Sequence, residues 1–329
     1  MVLISNNNNL KDMFSLENKR VWIAGHTGMV GNALVKRLRK ERCRVLSVGR
    51  DELDLTNQDD VQAWLKNAKP DVIIIAAARV GGINVNNTRP VDFLYDNLMI
   101  QSNIMNSANH IGVQRLLFLG SSCIYPKYSQ QPIKEESLLT GPLEPTNEWY
   151  AIAKIAGIKL IQAYRKQYNR DWISAMPTNL YGPGDNYDLD SSHVLAALIR
   201  KFHEAKISRS KEIILWGSGS PLREFMHCDD LADALIFLTK NYSDSEHINI
   251  GSGYEISIYE LAEKISKLVG CNSRIIWDTE KPDGTPQKLM DSSRLNKLGW
   301  NKCRDFDSGL KETYHQFIKN EFRDLHCRA

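Results

Sequence analysis

No apolar run in this 329-residue chain approaches the about 18 residues that a helix needs to cross a bilayer. The first residues also lack the charged, apolar and small-residue regions of a secretory signal. Cysteines are few and scattered: Cys43, Cys123, Cys228, Cys271, Cys303 and Cys327 form no C-x-x-C pair and no spacing that suggests zinc or a disulfide framework. No metal site is expected, and a reducing, cytoplasmic compartment fits best. Blocks of like charge are missing too. The 42 Lys and Arg against 39 Asp and Glu leave a net charge of +3 spread along the chain, which argues against a nucleic-acid or membrane-surface footprint. What is present is ordinary globular composition, 42% hydrophobic and 25% charged, in a length that suits about two domains.

Residues 1–18 contain the run Asn6-Asn7-Asn8-Asn9, too polar to offset the entropy of ordering it, and are expected to form a flexible tail. From Arg20 onward, short apolar runs alternate with longer segments of helical spacing. Val21-Trp22-Ile23-Ala24, Arg44-Val45-Leu46-Ser47-Val48, Val72-Ile73-Ile74-Ile75 and Leu116-Leu117-Phe118-Leu119 have the length of buried strands. A helix over 151–168 and a strand near 172–176 continue the pattern. Such alternation predicts an α/β fold with a Rossmann-like, doubly wound parallel sheet, and ligands at the carboxyl ends of its strands. The Gly- and Pro-rich run at 177–183 breaks the alternation. Residues 184–223 and 251–329, with a helix near 192–205 and a strand near 213–216, are expected to form a smaller C-terminal α/β substrate domain. Residues 224–250, read as a helix from Asp229 to Lys240 followed by a strand at 247–250, are expected to return to the main domain of residues 19–183.

Directly after the first strand stands Gly25-His26-Thr27-Gly28-Met29-Val30-Gly31. Glycines there permit a tight turn and close backbone approach, and the start of the following helix can hold a pyrophosphate. The strand before it and the amphipathic helix after it supply the context that a dinucleotide-binding turn requires. Where the second strand ends, Arg50 precedes Asp51. A guanidinium there favours NADP(H) by clamping a 2′-phosphate, whereas Asp51 leaves NAD(H) open.

The fourth strand runs into Leu119-Gly120-Ser121-Ser122-Cys123, and a later helix carries Tyr150-x-x-x-Lys154. Residues four apart share a helix face. A lysine ammonium beside a phenol is expected to lower its pKa and make it a proton-transfer group, with Ser121 sharing the carbonyl oxygen of a substrate. Standing alone, such a pair is more often two surface residues.

Together these residues resemble the extended short-chain dehydrogenase/reductase family, whose members act largely on nucleotide sugars. The likeness covers nearly the whole chain after Arg20. The strings at 119–127, 143–148, 151–157 and 177–183 resemble the branch of that family that synthesises GDP-L-fucose, as do shorter matches at 192–194, 216–219, 223–225 and 281–288. The resemblance implies that GDP-4-keto-6-deoxy-D-mannose is epimerised at C3 and C5, then reduced at C4 by NADPH, the spent cofactor being NADP+.

On the family's pattern Cys123 is the base and His193 the acid of epimerisation, while Tyr150, Ser121 and Lys154 serve the ketone oxygen. Neighbouring positive charge is expected to lower the Cys123 pKa; otherwise a free cysteine is most commonly a packing residue. The glycine turn, residues 119–122, Tyr150, Lys154, Pro177-Thr178-Asn179-Leu180 and His193 are assigned to the cofactor. Ser122, Cys123, Asn179, Lys201, Trp216, Arg223 and Asp283 are assigned to the sugar nucleotide, with Lys201 and Arg223 as candidates for its pyrophosphate, Trp216 for an apolar contact and Asp283 for a sugar hydroxyl. Relatives often carry Arg where this chain has Thr27, which implies a weaker preference for NADPH. The helices near 92–110 and 146–168 resemble those that build the family's dimer, implying a homodimer. Two alternatives stay open: another nucleotide-sugar epimerase or dehydratase, although the Asp-Glu pair of the dehydratases is replaced by Ser122-Cys123, and a non-catalytic NADP(H)-binding regulator.

Overall fold

The computed structural model describes residues 14–327. The first half alternates strand and helix: β1 (Arg20–Ala24), α1 (Met29–Leu38), β2 (Arg44–Leu46), α2 (Gln58–Ala68), β3 (Val72–Ile75), α3 (Ile83–Thr88), α4 (Pro90–His110), β4 (Arg115–Leu119), α5 (Glu148–Tyr168) and β5 (Asp171–Pro177). The second half is less regular: β6 (Asn179–Tyr181), α6 (Val194–Ser208), β7 (Glu212–Trp216), β8 (Leu222–His227), α7 (Cys228–Asn241), β9 (Ile248–Ile250), β10 (Glu255–Ser257), α8 (Ile258–Val269), β11 (Arg274–Asp278), β12 (Gln287–Lys288), α9 (Ser293–Lys297) and α10 (Phe306–Cys327). Among the described residues no helix is long and apolar enough to cross a membrane.

Six strands form one parallel sheet in the order β2-β1-β3-β4-β5-β9. Successive side chains of a strand face opposite sides, and the sequence uses both. Val21, Ile23, Val72, Ile74, Leu117 and Ile173 pack on one side with Leu34 and Leu38 of α1 and Leu231 and Leu235 of α7. Trp22, Ile73, Ile75, Leu116, Phe118 and Trp172 pack on the other with α2, α4 and α5. Continuously apolar strands are what a sheet covered on both faces requires. Each fully buried Leu or Ile contributes about 1.5–3 kcal/mol. Gly157 lets α5 lie against β4, because a Cβ there would overlap the Phe118 ring.

The remaining strands make a small sheet, β10-β8-β12 with β6 beside β8, and a parallel β7–β11 pair. With α6, α8 and the start of α10 they enclose a separate apolar cluster that includes Leu198, Phe202, Phe225 and Leu261.

Three expectations need correction. Leu16 is buried and the Phe14 amide donates to the Lys240 carbonyl (2.8 Å), so the ordered chain begins before residue 18; residues 1–13 lie outside the described ones. Apolar side chains within that tail win a place under the sheet that its polar composition hid. Residues 224–227 belong to β8 in the small sheet, so the chain returns to the large sheet's layers with α7 rather than at 224. That helix begins at Cys228 rather than Asp229, with His227 as its cap, whose Nδ1 accepts from the Asp229 amide at 3.2 Å.

Candidate active site

The carboxyl ends of β1, β3, β4 and β5 open onto one cavity of about 560 Å³. Its floor is the turn after β1. Gly25 has φ +87°, and a Cβ on it would lie 2.7 Å from the Ala77 backbone; a Cβ on Gly31 would overlap the Gly25 carbonyl oxygen. The helix α1 starts at this turn with Gly28 as its N-cap, no side-chain cap and no acidic residue in its first turn. Its first amides and the positive end of its dipole therefore face the cavity without competition, which is the arrangement an anionic phosphate needs.

Every residue assigned above to the cofactor lines this cavity: the whole glycine turn, Arg50, Leu119 to Ser122, Tyr150, Lys154, Pro177 to Leu180, and His193. Arg50 is exposed and lines it; Asp51 does not, and its Oδ1 lies so close to Gly49 that a Cβ there would overlap it. This geometry favours a 2′-phosphate over a bare ribose hydroxyl at that end. Arg79 is a lining cation that the sequence reading passed over. Asp96 and Asp92 hold its Nη1 and Nη2 at 2.9 Å each, so it is fixed in place and its charge is largely balanced.

The reactive groups converge from separate elements. Ser121 ends the turn after β4 and accepts from the Cys123 amide at 3.4 Å. Tyr150 and Lys154 project from adjacent turns at the start of α5. The Lys154 Nζ donates to the Leu119 carbonyl at 2.8 Å and lies 5.7 Å from the Tyr150 ring centroid. His193 arrives from the other half of the molecule as the N-cap position of α6, with its side chain free of that capping role.

Electrostatics departs from expectation at two of these groups. Burial, with Cys123 nearby, pushes the Tyr150 phenol above its ordinary pKa, against a smaller opposing effect of its hydrogen bond to Ser121. Burial likewise pushes the Cys123 thiol up, although Lys288, Ser121 and Lys154 all pull it down. Desolvation of the charged form outweighs the nearby cations in both cases. Lys154 itself is pushed down to about 8 by burial, and His193, an exposed residue that lines the cavity, is lowered by desolvation of its ring and then by Lys288.

Lys288, from the two-residue strand β12, is the main residue that sequence reasoning missed here. It is half-buried, is pushed down to about 8 chiefly by desolvation, and acts electrostatically on both Cys123 and His193. The available signal was its place at the end of the 281–288 string.

Residues assigned to the sugar nucleotide fall in two places. Ser122 and Asn179 line the cavity, while Cys123 is buried directly behind Ser122 and is not a lining residue; Lys201, Trp216, Arg223 and Asp283 lie in the smaller half. Trp216 is half exposed, with Lys201 and Lys281 Nζ 5.9 and 5.4 Å from its ring centroid. Arg223 is paired with the Asp283 carbonyl (3.3 Å). The Asp283 carboxylate, expected to face a sugar hydroxyl, already receives the Ser218 amide and hydroxyl at 2.8 Å each and so anchors the 217–219 turn.

The model of the NAD dependent epimerase/dehydratase family matches residues 21–251. The chain belongs to that family. Among members, a GDP-L-fucose synthase of Sinorhizobium fredii (strain NBRC 101917 / NGR234) is 57% identical over 308 residues, covering 94% of this chain and 98% of the relative. Two solved structures share the whole fold. A GDP-6-OMe-4-keto-L-xylo-heptose reductase from C. jejuni has TM-score 0.88 and 34% identity, covering 92% of this chain and 98% of that one. A GDP-L-fucose synthetase from Naegleria fowleri bound to NADP has TM-score 0.86 and 28% identity, covering 94% and 98%.

Proposed function

We propose that this epimerase-family chain makes GDP-L-fucose from GDP-4-keto-6-deoxy-D-mannose, inverting C3 and C5 and then reducing the C4 ketone with NADPH. One observation carries the reading. Beside the reduction set of Ser121, Tyr150 and Lys154 stand two further groups that plain ketone reduction does not need: the Cys123 thiol, which acts electrostatically on Tyr150, and the cavity-lining His193, each of them near enough to Lys288 to feel its charge. Relatives named GDP-L-fucose synthase support it, and so does the likeness to an NADP-bound synthetase. The uncapped start of α1 would hold the pyrophosphate of NADPH, Arg50 its 2′-phosphate and Lys154 its nicotinamide ribose. Bound there, the coenzyme supplies a hydride. The exposed Trp216 and the Lys201 and Arg223 cations suit the GDP end of the substrate.

The C4 ketone acidifies the protons on both C3 and C5, so one base and one acid on opposite faces can invert each carbon. In the ligand-free site Cys123 is a neutral thiol and His193 a neutral imidazole. Passing the thiol proton to the imidazole, directly or through a water, creates a thiolate base and an imidazolium acid together, with no change in net charge. Tyr150, kept neutral by burial, donates a hydrogen bond to the C4 oxygen while the enolate exists. During reduction the same phenol gives up its proton to that oxygen, and Lys154 stabilises the phenolate that remains.

Two copies pair, on this reading, through α4 and α5, which leave Val91, Tyr95 and Ile152 exposed at 71%, 57% and 41%. Sedimentation at micromolar concentration should give twice the chain mass; a monomer would refute the pairing. Cys43, Cys123, Cys228, Cys271 and Cys303 are all unpaired, which suits the cytoplasm, and cell fractionation should find the protein there. The function itself is tested by mixing purified protein, NADPH and the keto sugar. NADPH should disappear one-to-one with formation of GDP-L-fucose, and no loss of NADPH despite demonstrated binding would refute the assignment.

A further inference from the structure

The segment between β6 and α6 roofs the cavity. Gly184 stands over the start of α1, a Cβ on it reaching to 3.8 Å from the Met29 Cα, and Gly184, Asp185, Asn186, Ser191 and His193 all line the cavity. The roof is tied down at its far end, where the Gly82 amide donates to the Ser191 carbonyl at 2.9 Å. Its polar interior is incomplete. Asp185 Oδ2, Tyr187 Oη and Ser192 Oγ are buried and without a hydrogen-bond partner. Asp185 Oδ1 is used, accepting from the Asn186 amide at 2.8 Å.

A buried carboxylate oxygen with no donor is costly as an anion, and doubly so beside a phosphate site. We propose that Asp185 is a further cofactor-binding residue, an uncharged carboxylic acid that completes the roof over the phosphate-binding start of α1 and loosens it on ionising. The proposal rests on the reading that this cavity holds NADPH. It separates Asp185 from the acidic residue that NAD-selective folds place after the second strand, because Asp185 would serve as a donor.

Burial pushes the Asp185 pKa up to about 7, so the ligand-free group ionises within the neutral range. The groups facing it do not. Tyr187 is raised far above neutrality by burial, and Cys228 is pushed up to about 12. His227 beside Cys228 is lowered by burial and then by Arg304, and His193 by desolvation of its ring and then by Lys288. The cations Arg50, Arg79 and Lys154 and the imidazole of His26 share the cavity and are common to any Asp185 variant.

Linkage gives the sign. If only the protonated acid accommodates the dinucleotide, NADPH affinity is full below the ligand-free pKa and falls as pH rises through it, by about tenfold between about pH 6 and pH 8. The experiment is NADPH binding by fluorescence across that range, for the unchanged protein and for Asp185→Asn, which keeps a donor at every pH. The expected result is a steep loss of affinity in the unchanged protein and a profile about tenfold flatter in the variant, which then binds more tightly than the parent at the alkaline end. Parallel profiles would overturn the proposal, as would a parent profile that is flat, whatever the variant's folding. Absence of NADPH binding in the parent at any pH would instead overturn the cofactor reading beneath it.

Discussion

Tyr150→Phe is expected to slow NADPH oxidation in the presence of the keto sugar by about 10²–10⁴-fold while NADPH still binds. The phenol is the group placed to protonate the C4 oxygen. It is half-buried at the start of α5 against Phe93, with ring centroids 6.4 Å apart, and phenylalanine keeps that packing while removing only the hydroxyl. Because burial raises the phenol above its ordinary pKa, it is fully protonated at neutral pH. Its role as an acid therefore needs no activation, and the rate should not show a falling limb from its ionisation near neutrality. NADPH fluorescence titration separates loss of chemistry from loss of binding. A variant that reduces the ketone within a few-fold of the parent rate would remove Tyr150 from the reaction.

The second large effect concerns proton exchange. Cys123→Ser is expected to lower the wash-in of solvent deuterium at C3 and C5 by about 10²–10⁴-fold, because a hydroxyl is a far weaker acid than a thiol and cannot supply the base. Lys288 should matter for the same step. It is the first of the charges that oppose the burial of Cys123, so Lys288→Met removes that support and raises the thiol further. Exchange should then need a higher pH to reach half its maximum. Unchanged exchange in Cys123→Ser would place the base elsewhere.

Much of this site was legible in the sequence because it lies where local pattern and fold agree. The glycine turn sits between a short apolar strand and an amphipathic helix, and Tyr150 and Lys154 are four apart in a helical segment. Each feature needs only nearest neighbours to be read, and all of them reach one cavity. What was not legible depends on burial. A lysine one turn from a tyrosine suggests a lowered phenol pKa, but in the fold Lys154 spends its ammonium on the Leu119 carbonyl and desolvation dominates. Lys288 was hidden in a strand of two residues, too short to show a period. Asp283 looked free until its turn was seen to need it. Leu16 and Phe14 were obscured by the asparagine run before them.

The central claim is that one site inverts two carbons and then reduces a third. It is tested most directly by running the complete reaction in deuterium oxide and analysing the product sugar. The account predicts GDP-L-fucose carrying solvent deuterium at both C3 and C5, formed one-to-one with NADPH consumed. It also predicts continued exchange into the keto sugar when no reductant is present. A reduced sugar that keeps the substrate's C3 and C5 configuration and carries no deuterium would contradict it, and would make this chain a C4 reductase alone.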